Sequence, residues 1–356
     1  MSIANATVSD DSKPIVARPR PVLMIPLRRC GSHALRLRLN NNPAFYSPYP
    51  LHIVDFMPLV PAYGDLSDDQ NYFRLVVDVV GLQSASMVKW PGMVFDPVDI
   101  FESIKLEKRS VHRILWELLL RAGSAHQASV VMDKSLDSVH YADELLELFP
   151  DMLFLNVVRD PRAQVASMNR AIIHDYESGL NALAWVSAHK KARELMERIP
   201  NQVLTIRYED FLSDQELTLR KICQFFEIEF TRDMLDVAHS DEAQQIAHRS
   251  ALWESNCFPP ILANKDKFKQ QLSAEEINII ESVCSDFMKI YGYEMMSPAD
   301  FKVDPDFINL AREKSERGRT QAWLNLQTQN YKDFILRRFR AEYLTALKQR
   351  LQIQTA

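Results

Sequence analysis

Glycine is scarce in this sequence, 8 of 356 residues, so a glycine at a strand-to-helix junction is not background. Cysteine is equally sparse. Cys30, Cys223, Cys257 and Cys284 are widely scattered and form no CxxC pair, which argues against a zinc site and a disulfide scaffold and fits a reducing compartment. An excess of positive charge is also lacking: 42 Lys and Arg stand against 47 Asp and Glu, a net charge of −5. That balance speaks against a general nucleic-acid binder, so any phosphate site must be local. No run of 18 apolar residues occurs, and the N-terminus has no apolar core of a signal peptide. The expectation is a cytoplasmic protein without stable membrane insertion, with a flexible stretch over residues 1–20.

What is present suffices for a large core, since hydrophobic residues make up 47% and charged residues 25% of a long chain. Four short apolar runs read as buried parallel strands: Val22 to Ile25, Val130 to Met132, Leu153 to Val158 and Val203 to Ile206. Helical patterns alternate with them at Ser32 to Asn40, Arg109 to Arg121, Ser138 to Phe149, Pro161 to Arg170, Gly179 to Arg198, Asp214 to Phe226 and Ala274 to Tyr291. Asp214 is an N-cap, and Ser273 with Glu276 forms a capping box. This alternation predicts an α/β fold with a central parallel sheet and helices on both faces. The main domain runs over 21–300. Within it, 47–108 loses periodicity and is rich in Pro, Tyr, Phe and Met, as a lid or binding insertion would be. Residues 301–356 turn polar and basic. There Tyr331, Ile335, Phe339, Tyr343, Leu347 and Leu351 recur every four residues, the mark of an amphipathic C-terminal helix that packs or pairs two copies into a homodimer.

Chemistry concentrates at two junctions. Arg28-Arg29-Cys30-Gly31-Ser32-His33 lies between the first strand and the first helix, where backbone N–H groups and the helix dipole meet an anion. Gly31 lets the backbone approach a phosphate, Ser32 offers a hydroxyl and the arginines a fixed positive fork. GxxxxGK[ST] is absent, so this is no Walker A loop, and alone it reads equally as a turn with two surface arginines. At the second junction Arg159 ends an apolar strand, Asp160 is a natural N-cap, and Pro161 fits the first helical position. Ser167 follows on the same helix face as Asp160, two turns in, so Arg159 and Ser167 can grip one anion.

Together these segments resemble the sulfotransferase family that uses 3′-phosphoadenosine 5′-phosphosulfate (PAPS), bacterial small-molecule type. Arg29-Cys30-Gly31-Ser32-His33 is similar to its 5′-phosphosulfate loop, and Arg159 with Ser167 to its 3′-phosphate site. Asp133-Lys134-Ser135 and Ile206-Arg207-Tyr208-Glu209-Asp210-Phe211 agree, and the likeness extends in order from Val22 to Tyr293. It implies a P-loop-like sulfotransferase fold, with PAPS held by Arg28, Arg29, Cys30, Gly31, Ser32, His33, Arg159, Ser167 and Tyr208. It also implies release of PAP, and sulfonate transfer to a hydroxyl or amine of a small, natural-product-like acceptor of secondary metabolism. Arg29 and Lys134 would stabilise the charge that develops during transfer, and no metal is required for it.

Two departures stand out: Cys30 and His33 replace hydroxyl residues, and Leu136 stands where cytosolic members commonly place a His. Candidate general bases are then His52, Asp55 and His140, in that order. The competing readings are a small-molecule kinase, which needs Mg²⁺ and a Lys-Ser/Thr loop, and a catalytically silent nucleotide-binding scaffold.

Overall fold

The computed structural model describes residues 18–86, 88–236, 262–298 and 307–352. Five strands form one parallel sheet: β1 (Arg20–Ile25), β2 (Phe45–Tyr46), β3 (Val130–Asp133), β4 (Leu153–Val158) and β5 (Val203–Arg207), in the order β2-β3-β1-β4-β5. Val22 of the central β1 is in register with Met132 on one side and Leu153 on the other. Period-two alternation sorts each strand between two cores. Leu23, Ile25, Phe154 and Val158 face one cluster, Val22, Met24, Leu155 and Val157 the other. Because these pairings are parallel, the carboxyl ends of β1, β3, β4 and β5 open at one edge of the sheet, the place where doubly wound sheets bind ligands.

The helices of the first half are α1 (Ser32–Leu39), α2 (Asp69–Ser84), α3 (Pro97–Ile104), α4 (Val111–Ala125), α5 (Ala142–Leu148) and α6 (Pro161–Met168). They continue with α7 (Ser178–Arg198), α8 (Tyr208–Ser213), α9 (Gln215–Phe226), α10 (Phe268–Gln271), α11 (Ala274–Ile290), α12 (Phe307–Gln329) and α13 (Tyr331–Arg350). No described helix is long and apolar enough to cross a membrane. Asp160 and Asp214 cap α6 and α9 as the sequence indicates, and the Ser273–Glu276 capping box opens α11. Cys30, Cys223 and Cys284 are free and buried, while Cys257 lies outside the described residues.

Two expectations are corrected. The 47–108 segment is not irregular throughout, since α2 and α3 occupy much of it. Asp68 caps α2 by accepting from the N–H groups of Gln70 and Asn71 at 2.9 and 3.0 Å. Tyr72, Leu75, Val76, Val79 and Leu82 then bury one helical face. The valines carry weak helical propensity, so burial against the core outweighs the local preference.

The C-terminal region is a pair of helices rather than a single one. Residues of α12 pack through Ala311, Ser315 and Gly318, and a Cβ on Gly318 would lie 2.5 Å from Cβ of Tyr176. Small residues leave no apolar stripe for a sequence to display. On α13 the four-residue recurrence drifts about 40° per step against a 3.6-residue turn. Leu347 and Phe334 are therefore buried while Tyr331 and Phe339 are exposed. Those buried positions are used within the chain, against α2 and α12.

Candidate active site

The turn after β1 is shaped by two left-handed residues, Arg29 (φ 72°) and Gly31 (φ 92°). At Gly31 a Cβ would sit 2.1 Å from Cε2 of Tyr208, so ring packing as well as backbone angle requires glycine. The turn is held by α6. Nε2 of Gln164 donates to the carbonyls of Arg28 (2.8 Å) and Leu27 (3.2 Å), and Gln164 is itself oriented by the indole N–H of Trp185 at 3.1 Å. Gln164 sits at the helix start after Asp160-Pro161, a position that could have been singled out.

Three separated segments meet here. Arg29 Nε donates to Oγ of Ser167 at 3.0 Å, and Arg159 Nη1 donates to the Arg29 carbonyl at 2.8 Å. The Arg159 guanidinium lies over the Tyr208 ring, 4.9 Å from its centre. Glu209, by contrast, anchors the strand ends, accepting from the Asp160 N–H and the Tyr293 hydroxyl, both at 2.9 Å.

Arg28, Arg29, Lys134, Arg159, Arg337 and Arg340 line one cavity of 370 Å³. Asp55 is the one carboxylate among its described lining residues. Arg28 pairs with Asp137, Arg337 with Asp333 and Arg340 with Asp55. That leaves Arg29, Lys134 and Arg159 without a carboxylate partner among the described residues. Burial, and then Arg159, lowers Arg29 to about 10, so it stays charged at neutral pH. Lys134 is 2% exposed and falls to about 7, first through burial and then through Arg36. Desolvated basic groups that lack a carboxylate partner among the described residues give this opening an electropositive lining.

The profile of the sulfotransferase family matches residues 21–232, which carry all three of these cations. The chain belongs to the sulfotransferase family. Solved structures similar to it include two sulfotransferase domains. The sulfotransferase domain of the Synechococcus PCC 7002 olefin synthase is 20% identical, with a TM-score of 0.53 over 78% of this chain and 96% of that one. The sulfotransferase domain from the curacin biosynthetic pathway is 17% identical, with a TM-score of 0.52 over 78% of this chain and 99% of that one. At these identities the likeness is one of fold. No curated protein matches the chain.

The other expected residues fall around this sulfotransferase cavity unevenly. Gly31, Ser32, His33, His52, Asp55, Ser167 and Tyr208 line it. The Cys30 side chain does not. It is fully buried in the core beneath the turn, which pushes the thiol up to about 11, so Cys30 can offer the cavity its backbone only. His52 sits in a left-handed turn (φ 50°) whose N–H donates to Ser135 Oγ at 3.2 Å, beside Lys134. Its imidazole is held well below the ordinary histidine value by burial, then by Arg28 and Lys134. Asp55 is engaged by Arg340 at 3.0 Å, and His140 is exposed and lines no part of the cavity. His33 stacks on Tyr49, 5.9 Å between ring centres, and is likewise kept neutral by burial first. Sequence reasoning missed Ile172, Ile173, Trp323, Arg337, Arg340 and Leu344 as lining residues. Nothing local marks them, because they arrive from a loop and from the C-terminal helix pair.

Proposed function

We propose that this sulfotransferase takes PAPS as donor, transfers its sulfonate to a hydroxyl or amine of a small acceptor, and releases PAP. The observation that carries this reading is the convergence of Arg29, Lys134 and Arg159, none of them paired with a carboxylate among the described residues, on the amino-terminal end of α1. Such an arrangement suits a polyanion with two phosphorylated ends. Ser32 and the turn amides would hold the 5′-phosphosulfate, and Arg159 with Ser167 the 3′-phosphate. During transfer the acceptor oxygen or nitrogen bonds to sulfur as the bond from sulfur to the bridging oxygen breaks. The electron pair leaves with PAP, and the acceptor proton passes to a base. Arg29 would then stabilise the sulfonate oxygens, and Lys134 the bridging oxygen as it gains charge.

The direct test is incubation with PAPS and a panel of alcohols, phenols and amines, reading PAP release and the product's mass increase. Sulfonate transfer that persists in EDTA is expected, and strict Mg²⁺ dependence with phosphoryl transfer would point to a kinase instead. Arg159→Ala should weaken PAP about 10- to 150-fold, as a charge-assisted hydrogen bond implies. Adenosine 5′-phosphosulfate, which lacks the 3′-phosphate, should lose much less. Equal losses for both nucleotides would remove the 3′-phosphate assignment.

Gly31→Ala should weaken PAP about 5- to 150-fold, since the turn then carries about 1–3 kcal/mol of local strain. In a Tyr208→Ala background the steric part disappears, so calorimetric titration of the double variant should show a smaller penalty for the same substitution. Identical penalties in both backgrounds would mean that the ring does not set the requirement.

A further inference from the structure

The helix pair α12–α13 takes part in the cavity from outside the segment that the family profile matches. Trp323 of α12 and Ala341 and Leu344 of α13 line the same cavity as Lys134 and Arg159. The pair is also tied to both loops that flank the opening. On one side Arg340 Nη2 donates to the His52 carbonyl at 2.9 Å and pairs with Asp55, which fixes the left-handed turn at His52. On the other, buried Ser315 donates to Asp175 at 2.8 Å and accepts from the Tyr176 N–H at 3.1 Å. Arg319 pairs with the same Asp175 at 3.0 Å, so α12 holds the loop that presents Ile172 and Ile173. A third tie clamps α13 to α2: Tyr343 donates to the Asp78 carbonyl at 2.9 Å, and Arg350 pairs with the Asp78 carboxylate. That carboxylate also accepts from the Tyr63 hydroxyl at 2.5 Å.

The charges that these helices bring are already balanced, Arg337 by Asp333 at 2.9 Å and Arg340 by Asp55. What remains for a ligand on this side is an indole and aliphatic surface, whereas the unopposed cations lie on the sheet side. We propose that α12–α13 is the acceptor-selecting wall of the site. The uncharged apolar body of a hydroxyl acceptor lies against Trp323, Ala341 and Leu344 opposite Ile172 and Ile173, and Arg340 is a positioning residue for the His52–Asp55 turn. The inference rests on the donor reading above, and it adds the class of acceptor and the residues that choose it.

Straight-chain primary alcohols from butanol to decanol, with PAPS as donor, test it in the full-length protein. In the native protein kcat/KM should rise with chain length, by up to about fourfold per methylene where each is fully buried. Trp323→Ala and Leu344→Ala should at least halve that logarithmic slope and leave PAP affinity within about twofold. Ala341→Leu fills the wall instead of hollowing it, and should exclude the longest alcohols while the shortest still react. Arg340→Ala should lower kcat about tenfold with the chain-length slope and PAP affinity retained, and Arg340→Lys should restore most of it.

A slope that is unchanged in the wall variants, or PAP and alcohols lost together, would overturn the wall. PAP binding to the native protein without sulfation of any alcohol would overturn the acceptor class. Failure of PAP to bind the native protein at all is seen separately by calorimetry, and would remove the donor reading and this inference with it.

Discussion

Lys134→Ala is expected to lower kcat about 10²- to 10³-fold, the cost of removing one preorganised donor from a developing anion, while PAP affinity changes less than about tenfold. The asymmetry follows from where the ammonium sits. Lys134 is buried at the end of β3, among the cations Arg36, Arg28 and Arg29 that push its proton off, and has no carboxylate partner among the described residues. It gains most when charge builds on the leaving oxygen. Its lowering to about 7 also gives the pH dependence a sign. In the free protein the ammonium is lost as pH rises through about 7, so kcat/KM should fall above that pH. A bound phosphosulfate favours the charged form, so the matching limb of kcat should lie at higher pH. Lys134→Arg stays ionised throughout and should flatten the limb. If Lys134→Ala weakened PAP as much as it slowed turnover, Lys134 would be a ground-state phosphate ligand and nothing more.

His52→Ala is expected to lower the rate about 10²- to 10⁴-fold if His52 takes the acceptor proton. Burial, and then Arg28, Lys134 and Arg340, keeps this imidazole neutral well below the ordinary histidine value. A base must be unprotonated to act, so native activity should persist on the acid side down to a pH clearly below that of a solvent-exposed histidine. The variant should lose that acidic limb altogether. Full activity of His52→Ala would transfer the role to His33, which lines the same cavity and is also neutral. Asp55 follows, because Arg340 already engages it, and His140 comes last for lack of access. Normal turnover in all of these variants would mean an acceptor that arrives already nucleophilic.

The sequence by itself determined those parts whose causes are local. Runs such as Leu153–Val158 are apolar but for Asn156 because a parallel strand is buried on both faces, and β4 appears over those same residues. Asp160 followed by Pro161 starts a helix through a side-chain cap and a preset φ, and Gly31 marks a turn that few other residues could make. These are interactions within a few residues, so they are written in order along the chain.

The tertiary structure decided whatever depends on separation. Arg29 and Ser167 are 138 residues apart and become partners only when β1 and β4 pair. Burial neutralises His52 and pulls Lys134 down to about 7, a property of the surroundings that neither residue carries alone. The valine-rich α2 is helical because the core accepts one of its faces, against the weak preference of its residues. Trp323, Arg340 and Leu344 reach the cavity because Asp78, Asp175 and Tyr176 anchor α12 and α13: the small contact residues of α12 give no hydrophobic pattern to read, and the apolar recurrence on α13 does not say which element it packs against.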